Sequence, residues 1–325
     1  AIIGFMDEET LFEQIKTQVQ TNVLGGAVSF HLILDGSDKD QTVQPGKTIR
    51  GSIDYKNPGT DSVEGVSFTL HLSSNASVPI AWDKANLSDG VHSNNQVVWN
   101  KKTTPALEKI DPGKEGVIDF TLPLHESISE GSSDVFTVSV SMDVEKIGSI
   151  TSTRTIEATP IQLAIASNVS LSAYALYFAE DGTPLGSGDV PPHVGASTSY
   201  RIIWDLKNSL HDLGTVEVST ILPQDVAWTD LSGKDIGILS YNPTTRQVRW
   251  QISKLPNDIK NAQAWFNVTV TPKTSDVGTF MKLTNQLSLE ATDLTTKTQT
   301  NSSLPLITTE LPLDTAVSGK SVVTK

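Results

Sequence analysis

The sequence predicts an all-β chain built as two tandem antiparallel β-sandwiches behind a short N-terminal α-helix. Three observations lead there. Apolar residues alternate with polar ones in short runs, turns rich in proline and glycine separate those runs, and the second half of the 325 residues echoes the first. At that length two domains are the ordinary expectation, each large enough to build its core from hydrophobic burial alone.

The chain opens on Ala1-Ile2-Ile3-Gly4-Phe5-Met6, which runs into the acids Asp7, Glu8 and Glu9. Leu11, Ile15 and Val19 then recur every four residues with Phe12 beside them, so residues 7–20 are expected to form a helix whose acids sit at its positive N-terminal end. Leu24-Gly25-Gly26 ends it and closes an N-terminal segment of residues 1–26. Ile2, Ile3, Phe5, Leu11, Ile15 and Val19 belong to neither sandwich core and are the candidate assembly residues of this end. Met6, Met142 and Met281 are all internal, so an upstream segment is expected to have been removed, either a signal peptide or a piece lost at a cloning boundary.

From Ala27 the period changes to two, with Val28, Phe30, Leu32 and Leu34 alternating with Ser29, His31 and Ile33. Further strands are expected at residues 48–56, 66–72, 96–101, 116–124, 135–144 and 149–158. The turns Gln44-Pro45-Gly46, Asn57-Pro58-Gly59, Ser88-Asp89-Gly90 and Asp111-Pro112-Gly113 use the fixed φ of proline and the left-handed freedom of glycine. These elements make a first sandwich over residues 27–160.

Residues 161–303 repeat the plan, with a new alternating run over 169–178. Val78-Pro79-Ile80-Ala81-Trp82 is echoed by Gln224-Asp225-Val226-Ala227-Trp228, and Val97-Val98-Trp99 by Gln247-Val248-Arg249-Trp250. Tyr55-Lys56-Asn57 matches Leu206-Lys207-Asn208, and Ile118-Asp119-Phe120 matches Trp265-Phe266-Asn267. The four matched tryptophans are expected to fill the space between two sheets about 10 Å apart. Residues 304–325 follow the last expected strand, as a disordered tail or as a strand seeking a sheet edge. Ile307, Leu311 and Leu313 are their candidate assembly residues. Leu311-Pro312-Leu313-Asp314-Thr315 falls short of a sortase signal, because no apolar stretch with a basic tail comes after it.

The run Val43-Gln44-Pro45-Gly46-Lys47-Thr48-Ile49-Arg50-Gly51-Ser52-Ile53-Asp54-Tyr55-Lys56-Asn57-Pro58-Gly59, followed by Ile110-Asp111-Pro112-Gly113-Lys114-Glu115-Gly116-Val117-Ile118-Asp119-Phe120, resembles the immunoglobulin-like repeat modules of bacterial and archaeal surface proteins, of the DUF11 and CARDB kind. In the second half Val194-Gly195-Ala196 stands where the first turn would be, and Asn208-Ser209 lacks the glycine. The resemblance implies an immunoglobulin-like sandwich used at the cell surface as a spacer, stalk, adhesin or assembly subunit, with no catalytic residues to carry over.

Composition narrows the chemistry. With 24 basic and 37 acidic residues the net charge is −13, which argues against nucleic acid or an anionic membrane surface as partner. Cysteine is absent, so the chain has no disulfide, no thiolate nucleophile and no cysteine-bound metal. No run of 18 apolar residues occurs, so a membrane enters only through an anchor upstream. The sequence holds no G-x-S-x-G elbow, no H-E-x-x-H pair, no phosphate-binding loop and no dinucleotide fingerprint. No cofactor is expected.

Asp35, Asp38 and Asp40 are the metal candidates, as hard oxygen ligands that would suit calcium, set against a solvated acidic turn interrupted by Lys39. Lys56 and Lys207 are conceivable partners in a lysine–asparagine cross-link. Sequons begin at Asn75, Asn86, Asn168, Asn267 and Asn301, the glycosylation candidates of an exported chain.

The expected function is a non-enzymatic extracellular structural subunit at the cell surface, whose partner is itself in a filament, sheath or lattice joined through its terminal segments. The alternative is a membrane-tethered stalk or adhesin. A glycan-binding or glycan-cleaving sandwich is a third reading, which paired carboxylates and aromatic platforms in a cleft would favour. No particular glycan or host partner is legible.

Overall fold

A computed structural model describes residues 2–7, 10–16, 28–128, 132–151 and 154–325, the first two stretches by their backbone alone. The N-terminal residues form an antiparallel hairpin of β1 (Ile2–Asp7) and β2 (Thr10–Lys16), which sets Ile3 opposite Ile15, Phe5 opposite Phe12 and Met6 opposite Leu11. This corrects the expected helix: Asp7 and residues 10–16 are extended, while residues 8–9 and 17–20, Val19 included, lie outside the described residues. A spacing of four is a multiple of two as well as near one helical turn, so Leu11 and Ile15 fit either period. The β-branched and aromatic residues of the two arms favour the extended form.

The first sandwich begins with β3 (Ser29–Leu34), β4 (Gln41–Val43), β5 (Thr48–Lys56), β6 (Val63–Ser73), β7 (Val91–Ser93) and β8 (Gln96–Trp99). It continues with β9 (Lys109–Ile110), β10 (Glu115–Pro123), β11 (Val135–Ile147), β12 (Ile150–Thr151), β13 (Thr155–Glu157) and β14 (Ile161–Ile165). One sheet has the order β10-β5-β3 and the other β4-β14-β11-β6-β8-β7. Alternation assigns the inner faces: Ile49, Ile53 and Tyr55 from β5 meet Phe68, Leu70 and Leu72 from β6 in one core. Fully burying each such aliphatic side chain contributes about 1.5–3 kcal/mol. Gly51 lies opposite Phe120 and Gly116 opposite Tyr55. A Cβ at Gly51 would fall 2.2 Å from the Phe120 ring, and one at Gly116 2.4 Å from the Tyr55 hydroxyl, so each glycine leaves room for a ring across the ladder.

The first sandwich also reaches past its expected end at residue 160. Strand β14 pairs antiparallel with β11 and parallel with β4, and Ile161, Leu163 and Ile165 are buried in the first core. Only Ala166, Ser167 and Asn168 separate it from the next strand.

The second sandwich comprises β15 (Val169–Leu176), β16 (Thr198–Asn208), β17 (Leu213–Ile221), β18 (Val226–Lys234), β19 (Ile238–Asn242), β20 (Gln247–Leu255), β21 (Asn261–Val270), β22 (Leu287–Asp293) and β23 (Gln299–Leu304). Its sheets are ordered β15-β16-β21-β18 and β19-β20-β17-β22-β23. These share a common order with the first sandwich, β3-β5-β10 with β15-β16-β21 and β14-β11-β6-β8-β7 with β23-β22-β17-β20-β19, while β4 and β18 have no counterparts. Both halves are therefore antiparallel sandwiches of the immunoglobulin-like class.

The repeated residues take repeated places. Trp99 and Trp250 are wholly buried, and their indole N–H groups donate to Leu87 O at 2.7 Å and Ile236 O at 2.8 Å. Asn57 directly follows β5 and Asn208 ends the equivalent β16, and both side-chain amides are buried donors, to Asp61 O and His211 O at 2.8 Å each. Trp82 and Trp228 depart from the expected core role. Both are only partly buried, the first stacked on His92 and the second between Tyr241 and Phe266.

Candidate functional site

A cleft of about 790 Å³ opens on the outer face of the second sandwich. Its floor follows from strand alternation: on β15, β16 and β21 the residues between the buried ones point outward and bring Tyr174, Asp205, Lys207 and Gln263 together. The walls come from Phe178, Ala179 and Glu180 on one side and Leu313, Asp314 and Thr315 on another. Asp205 organises the floor. One oxygen accepts from the Tyr174 hydroxyl at 2.9 Å and the other from the Gln263 amide at 2.8 Å. Burial, and then the bonded carboxylate, push the Tyr174 hydroxyl up to about 12, so it stays a hydrogen-bond donor through the physiological range. Asp235 closes the far side, accepting from the Gln263 backbone N–H at 2.8 Å. The cleft therefore offers carboxylates, amides and two aromatic rings, a surface suited to hydrogen-bonding a polar ligand.

The expected metal residues disperse. Asp35 accepts from the Arg50 N–H at 3.0 Å and meets the Lys47 ammonium at 3.0 Å, whereas Asp40 accepts from the Gln162 N–H at 2.8 Å. Asp38 is exposed beside them. Asp35 and Asp40 thus serve separate contacts, and no group of three potential metal ligands occurs among the described residues. Lys56 and Lys207 are both exposed, Lys56 in an ion pair with Glu115 at 3.2 Å, so neither enters a core to meet an asparagine.

Of the sequons, Asn75, Asn86, Asn168 and Asn301 are exposed. Asn267 is not: it is 3% exposed, donates to Leu185 O at 2.9 Å and accepts from Arg201 Nε at 3.0 Å, so the folded chain does not present it.

The C-terminal segment, expected as a free tail or an exchanged strand, packs into its own sandwich. Ile307, Leu311, Val317 and Val323 are buried in the second core, and only Leu313 of the expected assembly residues stands out, 61% exposed at the cleft. Buried Asp314 accepts from the Tyr177 and Phe178 N–H groups at 2.8 Å each, which pins the segment beside β15. Its sequence hides this role because the contacts are irregular turns made with distant loops. At the other end, β1 pairs with β2 and, among the described residues, joins neither sandwich sheet. Among the described residues no helix is long and apolar enough to cross a membrane.

The junction between the sandwiches was invisible in the sequence. The turn after β16 places His211, 7% exposed, so that Nδ1 lies 2.8 Å from Asp293 of β22 and Nε2 lies 3.0 Å from Asp134, which precedes β11 of the first sandwich. Ser167 of the linker accepts from the His211 N–H at 2.7 Å and donates its own N–H to Asp293 at 2.7 Å. Leu210 packs against the first core. Burial alone would raise the Asp293 carboxyl, but hydrogen bonds from His211 and from the Ser167, Thr296 and Thr295 N–H groups outweigh it and hold the group at about 2.

No protein-family model and no curated protein matches the chain. Among solved structures, the crystal structure of BcpA, the major pilin subunit of Bacillus cereus, aligns over 86% of this chain and 69% of that one at 7% identity, with a TM-score of 0.33. Likeness at that level carries no argument about function.

Proposed function

We propose that the chain is a non-enzymatic extracellular structural subunit that assembles with copies of itself at the cell surface through its N-terminal segment. The observation that supports this reading is the hairpin of β1 and β2. It is rich in apolar residues, and among the described residues its two strands pair with each other and extend neither sandwich sheet. A short two-stranded ribbon is marginal alone in water, and an exposed sheet edge accepts extra strands through main-chain hydrogen bonds. The C-terminal segment takes no part in this proposal, because it is committed to the second core.

The test compares the full chain with a variant lacking residues 1–26 by sedimentation and electron microscopy. The expected outcome is concentration-dependent oligomers or filaments for the full chain and a monomer for the variant. A full chain that stays monomeric at every concentration overturns the proposal. If that monomer binds lipid vesicles through the same residues, the result supports the tethered stalk in its place.

A further inference from the structure

We propose that His211 is a proton-operated latch between the two sandwiches, holding the first against the second only while both of its ring nitrogens carry a proton. The argument counts donors. A carboxylate only accepts, and a neutral imidazole has a single N–H. Asp293 already takes the Thr295 and Thr296 N–H groups on Oδ1, at 2.8 and 2.9 Å, and the Ser167 N–H on Oδ2. That set of donors, with the low carboxyl value it produces, keeps Asp293 an anion, so Nδ1 of His211 must be its donor. Nε2 faces a second carboxylate, Asp134, whose side chain is 45% exposed. Both bonds together therefore require the imidazolium.

Loss of one proton has an asymmetric effect. Asp293 sits 4% exposed among backbone donors and keeps its bond, so Nε2 becomes an acceptor facing an acceptor. The contact that disappears is the one that crosses between the sandwiches. Among the described residues, what remains there is the packing of Leu210 on the first core and the linker bonds of Ser167 and Asn168, so the junction loosens while the chain stays folded. Two further charged groups beside the turn, among the described residues, are engaged elsewhere. Asp212, next to His211, is paired with Lys254 at 2.8 Å, and Lys260 donates to Ser209 O at 3.1 Å. The angle between the sandwiches would thus stiffen in acid and relax as the imidazole is deprotonated.

The absence of cysteine makes the test direct. Spin labels on Asp38→Cys and Thr244→Cys, both exposed and one on each sandwich, report the distance between domains in full chain diluted with unlabelled chain. Measurements run between about pH 5 and 8, where an imidazole titrates. The expected result is a narrow distance distribution at the acid end that broadens with rising pH, at the same midpoint as the His211 ring nitrogens followed by 15N NMR. Asp134→Asn should abolish the pH response, since a neutral amide partner no longer demands the second proton, and His31→Gln, at an exposed position on β3, should retain it. A distribution unchanged through the His211 titration overturns the proposal, and so does a pH response that survives in Asp134→Asn. The NMR arm needs no variant: one ring N–H on His211 at the acid end overturns it outright.

Discussion

Trp99 and Trp250 fill the same place in the two halves, each wholly buried with its indole N–H spent on a loop carbonyl. Replacing a ring of that size opens a cavity and leaves the carbonyl unpaired. Trp99→Ala is therefore expected to destabilise the first sandwich by about 3–5 kcal/mol, and calorimetry should show its transition moving while that of the second stays in place. Asp293 makes a prediction in pH. Its folded value of about 2 lies below the ordinary 3.8, so its contribution is present above about pH 4 and is lost as pH falls toward 2. Urea unfolding of Asp293→Asn at neutral pH should show a loss of about 2 kcal/mol, and the variant should lose less than the parent chain over that acid range. The tryptophans were legible because the repeat marks them. His211 and Asp293 were not, since their 2.8 Å bond joins positions 82 residues apart and no local pattern requires it.

Strand β5 spans Thr48–Lys56, as its alternation and flanking proline–glycine turns indicate. The elements that the sequence misstated lack one of those two signals. Residues 10–16 carry an apolar spacing that fits both a helix and a strand, and β14 lies just beyond a run that reads as the natural end of a domain. The C-terminal segment has irregular turns in place of any period, yet Leu311 is wholly buried. Leu311→Ala should cost about 2–5 kcal/mol, and removing residues 305–325 should abolish the cooperative transition of the second sandwich alone. Both effects are readable by calorimetry or by amide NMR of the first sandwich as an internal control.

The molecule as a whole is a duplicated sandwich with an apolar hairpin ahead of it and a hydrogen-bonded junction in the middle. Because the hairpin's strands extend neither sandwich sheet among the described residues, deleting residues 1–26 should leave both unfolding transitions where they are while removing any larger assemblies. A shift of either transition would mean that the hairpin contributes to a core.

Read alone, the amino-acid order established the all-β class, the tandem repeat, the buried places of Trp99 and Trp250 and the lack of familiar catalytic motifs. Those properties follow from the period of two, from turn chemistry and from internal echoes, all of which are local. The folded molecule settled where each half ends, that the last residues pack into the second core, and that Asp35 and Asp40 spend their carboxylates on separate contacts. It alone brings His211 between Asp134 and Asp293, and Tyr174 and Gln263 onto Asp205. Such groups meet only when sheets pack, because a hydrogen bond depends on distance and direction in space and leaves no trace in residue order.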